Sequence, residues 1–108
     1  MNWPNSNIFD STPDEISDEL FENIVSGNHI KVERIISKGH SSPKSGWYDQ
    51  TENEWVIVLE GEAIIELEHQ APVHLVKGSY LNILAHTRHK VSWTHPDMET
   101  IWLAIHYT

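Results

Sequence analysis

The chain of 108 residues contains no cysteine. Disulfides, thiolate nucleophiles and Cys-ligated zinc are therefore excluded. Basic residues are scarce: seven Lys and Arg stand against sixteen Asp and Glu, a formal net charge of -9. A field of that sign repels phosphate backbones and anionic lipid, so neither nucleic acid nor a membrane is an expected partner. Apolar runs such as Val56–Leu59 fall far short of a membrane span. Asn2, Asn5, Asn7 and Asp10 stand where a secretory signal would need an apolar core. A soluble cytoplasmic protein is the expectation. There is no Gly-x-Ser-x-Gly elbow, no phosphate loop and no dinucleotide fingerprint.

Two residue types are abundant instead. Five Trp are a heavy load for this length, and eight His supply the usual nitrogen ligand for metals and the usual proton carrier near neutral pH. A hydrophobic fraction of 39% over this length suits one domain with one core.

Met1 to about Asp10 reads as an irregular lead-in. Thr12 then offers a cap, Pro13 a first-turn position and Glu15 the other half of a capping box. Ile16, Leu20, Phe21, Ile24 and Val25 recur at helical spacing before Gly27. The pattern predicts a short helix from Pro13 to Val25, packed by its apolar face. Residues 1–27 thus form an N-terminal segment, and 28–108 the main domain.

Beyond Gly27 the apolar period becomes two. Strands are predicted at His29–Ser37, Glu54–Glu60, Glu62–Glu68, Val73–Val76, Tyr80–Ile83, Lys90–Thr94 and Thr100–Tyr107, with turn residues between them and a hairpin signal at Glu60-Gly61-Glu62. Short strands at near-regular spacing indicate an all-β sandwich or barrel.

From Lys31 to Tyr107 the sequence resembles the cupin superfamily. The first motif of that family ends in a Glu, six residues and a Gly; Glu54-Trp55-Val56-Ile57-Val58-Leu59-Glu60-Gly61 has this form. In the second motif, Gly78 and His89 hold the two anchor positions, with Leu84 in the slot usually taken by Pro, in Ile83-Leu84-Ala85-His86-Thr87-Arg88-His89-Lys90-Val91. The resemblance implies an antiparallel jelly-roll barrel of two facing sheets, a small-molecule pocket at one mouth, and a homodimer. Apolar residues on the outward phase, Trp55, Ile57 and Trp102, fit a dimer.

The resemblance also implies a divalent-metal site. Its usual His-x-His step falls here on Trp47 and Asp49 in one register, or on Tyr48 and Gln50 in the other. The implied ligand set is thus Glu54 and His89 with Asp49 or Gln50, suited to Mn, Fe or Zn. Trp47, Tyr48, His86, Trp93 and His106 are candidate pocket residues. His29, His69, His74 and His95 lie in or beside turns and read as surface. Three functions stand at this point: a metal-binding cupin, a metal-free barrel that binds a small ligand, and a metal-independent acid–base enzyme using His89 with Glu54.

Overall fold

The computed structural model describes residues 6–10, 12–13 and 15–108. Residues 1–5 of the lead-in and Asp14 of the expected helix lie outside the described residues. Alternating apolar residues in the second half of the chain must bury one face, and they do so as strands. The described residues form eight: β1 (Leu20–Ser26), β2 (Ile30–Ser37), β3 (Asn53–Glu60), β4 (Glu62–Leu67), β5 (Val73–Val76), β6 (Tyr80–Ile83), β7 (His89–Thr94) and β8 (Thr100–Tyr107). All pairings are antiparallel. One sheet has five strands in the order β1-β2-β8-β3-β6; the other has three, β5-β4-β7. Seven strands fall within a residue or so of the positions predicted from the period-two pattern.

The predicted helix is not formed. Leu20–Ser26 is instead an edge strand of the larger sheet. The reason is a bulge. Asn23 pairs with Glu33 and Val25 with Val32, so Ile24 is an extra residue in β1. One inserted residue breaks the alternation and leaves apolar residues at positions that mimic a helical period. Nor do those residues bury a face: Phe21, Ile24 and Val25 are each about half exposed.

What holds β1 is polar. Arg34 lies directly opposite Glu22, and its Nε and Nη2 both donate to Glu22 Oε1, at 3.0 and 2.7 Å. Its Nη1 donates to the carbonyls of Ile8 and Asp10. The guanidinium is thereby buried and fully engaged, as a buried charge must be. It ties residues 8–10 across the outer side of β2.

The core lies between the sheets and is built from Val56, Val58, Ala63, Ile65, Leu75, Trp102 and Ala104. Trp102, expected on the outward phase, is 2% exposed. It opposes Ile35 on one side and Val58 on the other, and the same inward face of β8 carries Ala104 and His106. One of the three residues on which the dimer expectation rested is therefore inside the protein.

Glu60-Gly61-Glu62 does not join paired strands. β3 and β4 belong to different sheets, so this turn is the corner where the chain crosses between them. Gly61 has a φ of 93°, and a Cβ there would meet Thr100 Cα at 2.5 Å. Only glycine fits such a conformation and such an approach. Thr100 Oγ1 accepts from Glu62 N and donates to Glu62 O, pinning the corner to the start of β8.

Candidate functional site

Three strands of the large sheet aim side chains at the same space. Alternation puts Lys31, Glu33 and Ile35 of β2, Trp102 and His106 of β8, and Glu54 and Val56 of β3 on the inward face. The smaller sheet closes it with Ile65 of β4 and with His89 and Val91 of β7. A further segment lies along β7: Ser42 bridges to Val91 and Tyr48 to His89. Tyr48 N donates to His89 O at 2.7 Å and His89 N to Tyr48 O at 3.1 Å. This segment adds Ser42, Tyr48 and Gln50 to the wall, and the chain just before and within β1 adds Glu19 and Phe21. The cavity measures about 210 Å³ and opens to solvent on one side. It is smaller than the roughly 300–1,000 Å³ of pockets for drug-sized ligands, and the space within it matches a group of about sugar size.

Four ionisable groups run in line through this cavity. His106 Nε2 is 2.9 Å from Glu33 Oε1 and 3.9 Å from Glu54 Oε2. Glu54 Oε1 is in turn 3.4 Å from His89 Nε2. Register explains the first two contacts. Glu54 is the direct cross-strand partner of His106, and Glu33 sits diagonally from His106, two residues from its partner Lys31. The third contact spans the two sheets. At the far end, His89 Nδ1–H donates to the Thr87 carbonyl at 2.8 Å, which fixes the ring.

The side chains of His89 and Glu54 are 5% and 11% exposed. Burial pulls the His89 pKa down, but the hydrogen bond to Glu54, the bond to the Thr87 carbonyl and the charge of Glu54 together outweigh it. The net result is a pKa raised above the ordinary 6.5. Tyr48 stacks at a tilt over His89, with ring centroids 5.5 Å apart. Its phenol is pushed up by burial and by the charges of Glu19, Glu54 and Glu33, against an opposing hydrogen bond to Ser42. It is a neutral donor at physiological pH.

The residues singled out from sequence divide into two groups. Glu54, His89, Gln50, Tyr48 and His106 line the cavity. Asp49, His86, Trp47 and Trp93 do not. Asp49 pairs with His86 at 2.8 Å, and both are exposed. Trp47 lies under the Lys90 ammonium at 4.4 Å. Trp93 packs near His95, with centroids 5.8 Å apart. Glu19, Glu33, Ser42 and Trp102 are cavity residues that the sequence reading did not select. For Glu33 a signal existed, because it shares a strand face with Ile35. For Glu19 none did, because it fell within the expected helix.

A divalent metal does not fit the arrangement seen. The donors are used in pairs: His106 Nε2 faces Glu33, His89 Nε2 faces Glu54, and Asp49 is held by His86 outside the cavity. Among the described residues, no group of three or more His, Asp or Glu is placed to hold a metal ion.

No protein-family model matches the chain, and no curated protein matches it. Solved structures do. A protein of Ralstonia eutropha JMP134, provisionally named a mannose-6-phosphate isomerase, is 41% identical over 96% of this chain and 97% of its own, with a TM-score of 0.91. A cupin superfamily protein of Desulfitobacterium hafniense DCB-2 is 18% identical over 89% and 83% of the two chains, with a TM-score of 0.73. An RmlC-like cupin of Methanocaldococcus jannaschii, with a double-stranded β-helix fold, is 14% identical over 90% and 86%, with a TM-score of 0.71. With two antiparallel sheets around a cavity of mixed lining, a 41% identical structure matched end to end, and cupins among its structural matches, the chain has the cupin fold.

Proposed function

We propose that the protein is a small-molecule cupin that catalyses proton transfer at a carbon next to a carbonyl, as in isomerisation or epimerisation, using His89 and Glu54. The observation that carries this reading is the line Glu33–His106–Glu54–His89 through a cavity walled elsewhere by Ile35, Val56, Ile65, Ile83 and Val91. The raised pKa of His89 favours the imidazolium over the neutral ring relative to a free histidine, and the ring faces a carboxylate. One acid and one base thus meet at the same point, which is what enolisation requires. In the forward step Glu54 takes the carbon-bound proton while His89 Nε2–H supports the carbonyl oxygen as it becomes an enolate oxygen. Glu54 then returns the proton: to the neighbouring carbon, with the first carbon's hydroxyl proton passing by way of His89 to the former carbonyl oxygen, in isomerisation; or to the other face of the same carbon, once the enolate has turned over, in epimerisation. Tyr48 supplies a second donor beside His89. The apolar walls exclude bulk water and strengthen these contacts. The name of the 41% identical protein of Ralstonia eutropha JMP134 points to the same reaction class.

The test is solvent-deuterium incorporation, followed by proton NMR, into small hydroxyaldehydes and hydroxyketones. Exchange is expected with the native protein in the presence of a chelator, and its loss in His89→Asn. Exchange that disappears in chelator and returns with Mn, Fe or Zn would replace this reading with a metal-dependent one. Exchange unaffected by His89→Asn would remove it.

A further inference from the structure

Three buried side-chain polar atoms among the described residues have no hydrogen-bond partner: Glu19 Oε1, Gln50 Oε1 and Trp102 Nε1. They come from three distant parts of the chain, yet all three residues line the same cavity. Each such atom left unsatisfied is costly, and folded proteins keep few of them. Their clustering marks the cavity as the place where those bonds are completed. The three atoms are of opposite kinds. Glu19 Oε1 and Gln50 Oε1 accept, whereas the indole N–H only donates. A group that meets both demands carries a donor and an acceptor, and a hydroxyl is the simplest that does.

Charge decides what else the ligand carries. Glu19, Glu33 and Glu54 all line the cavity, and among the described residues Lys31 is the only Lys or Arg that does so. The Lys31 ammonium is 3.7 Å from Glu33 and 47% exposed, so it stands at the rim and is partly neutralised. The buried guanidinium of Arg34 is on the opposite face of β2, bound to Glu22. No helix N-terminus is present among the described residues to receive an anion. A phosphate dianion in this space would face three carboxylates, with His89, already paired to Glu54, and the rim ammonium of Lys31 set against them and no Arg fork.

We infer that the ligand of this cavity is an uncharged, polyhydroxylated compound of sugar size or less, held through hydroxyls by Glu19, Gln50 and Trp102, and that its phosphate esters are rejected. This rests on the cavity being the substrate site of the acid–base reading, and it separates the chain from the substrate that its Ralstonia eutropha JMP134 relative's name specifies. Glu19 and Gln50 then act as specificity residues at one side of the ligand, leaving the His89–Glu54 pair free for the carbonyl end.

Calorimetric titration tests this without reference to turnover. The panel is D-fructose, D-mannose and glyceraldehyde, each paired with its phosphate ester. At least one free sugar is expected to bind with a millimolar or better constant, and its ester at least roughly tenfold more weakly. Gln50→Leu and Trp102→Phe remove one orphan group each, the first at near-constant volume and the second with the loss of part of a ring. Each is expected to weaken the free sugar roughly tenfold while the melting temperature shows that the fold persists. His89→Asn should still bind. Equal or tighter binding of an ester, no binding by any free sugar, or unchanged affinity in both well-folded variants would overturn the inference. A sugar that binds in this pattern yet exchanges no deuterium would leave it standing and sink the acid–base reading instead.

Discussion

Glu54 and His106 face each other directly across β3 and β8, and the Glu54 carboxylate therefore stands between two imidazoles, 3.4 Å from His89 and 3.9 Å from His106. The pairing follows from register alone. A one-residue slip of β3 against β8 would turn Glu54 outward and bring Trp55 into the cavity. The acid–base line is thus a property of strand pairing before it is a property of any side chain.

Removing the carboxylate should unmask the effect of burial. Burial alone pulls the His89 pKa down, and Glu54 supplies most of the opposing force. In Glu54→Gln the imidazole is expected to titrate below its ordinary 6.5, whereas in the native protein it titrates above that value. A pH series of nitrogen–proton NMR spectra on the ring measures both. Equal titration midpoints in the two proteins would show that Glu54 does not govern His89.

The same shift links stability to pH. The folded-state pKa of His89 is raised above its unfolded value, so the folded state holds the proton more tightly. The resulting stabilisation is fully present below about pH 6.5 and is lost as pH rises through the raised folded value. Urea unfolding across that window should therefore show a falling free energy, and His89→Asn should flatten the slope. A native slope of the opposite sign there would contradict the assignment.

The crossing between sheets should be intolerant of any side chain. Gly61→Ala would put a Cβ 2.5 Å from Thr100 Cα, at a backbone φ of 93°. Strain and displacement together are expected to cost about 3 kcal/mol. The denaturant midpoint would fall with an unchanged slope. Gly78→Ala is a useful control, because its φ of 89° carries the same backbone strain but nothing lies within 4 Å of the added Cβ. If the two variants lose the same stability, the close approach to Thr100 contributes nothing.

Much of this architecture could be read from the residue order. Val56 and Val58, then Ala63 and Ile65, then Trp102, Ala104 and His106 alternate, and strands follow from that, although the phase of β8 was not legible and Trp102 read as outward. The meeting of Glu54 with His89 was legible as well, because two motifs with anchoring glycines place them. What failed did so for local reasons. The bulge at Ile24 hid a strand inside an apparent helix, and with it hid Glu19 and Phe21 from the cavity. Glu33 shares a strand face with Ile35, but β2 carries apolar residues on both faces, so alternation alone did not say which face points inward. Asp49 and Trp47 lie next to cavity residues in sequence but point elsewhere, since successive side chains of an extended segment alternate.

Glu19 and Phe21 reach the cavity from a stretch that hydrogen-bonds along one flank only. Strands of that kind detach at a lower free energy than the sheets they border. Amide hydrogens of residues 20–26 should accordingly trade with solvent sooner than those of β3 or β8, and a bound guest touching Glu19 should slow them. Occupancy of the interior would then be readable at the outer margin of the protein.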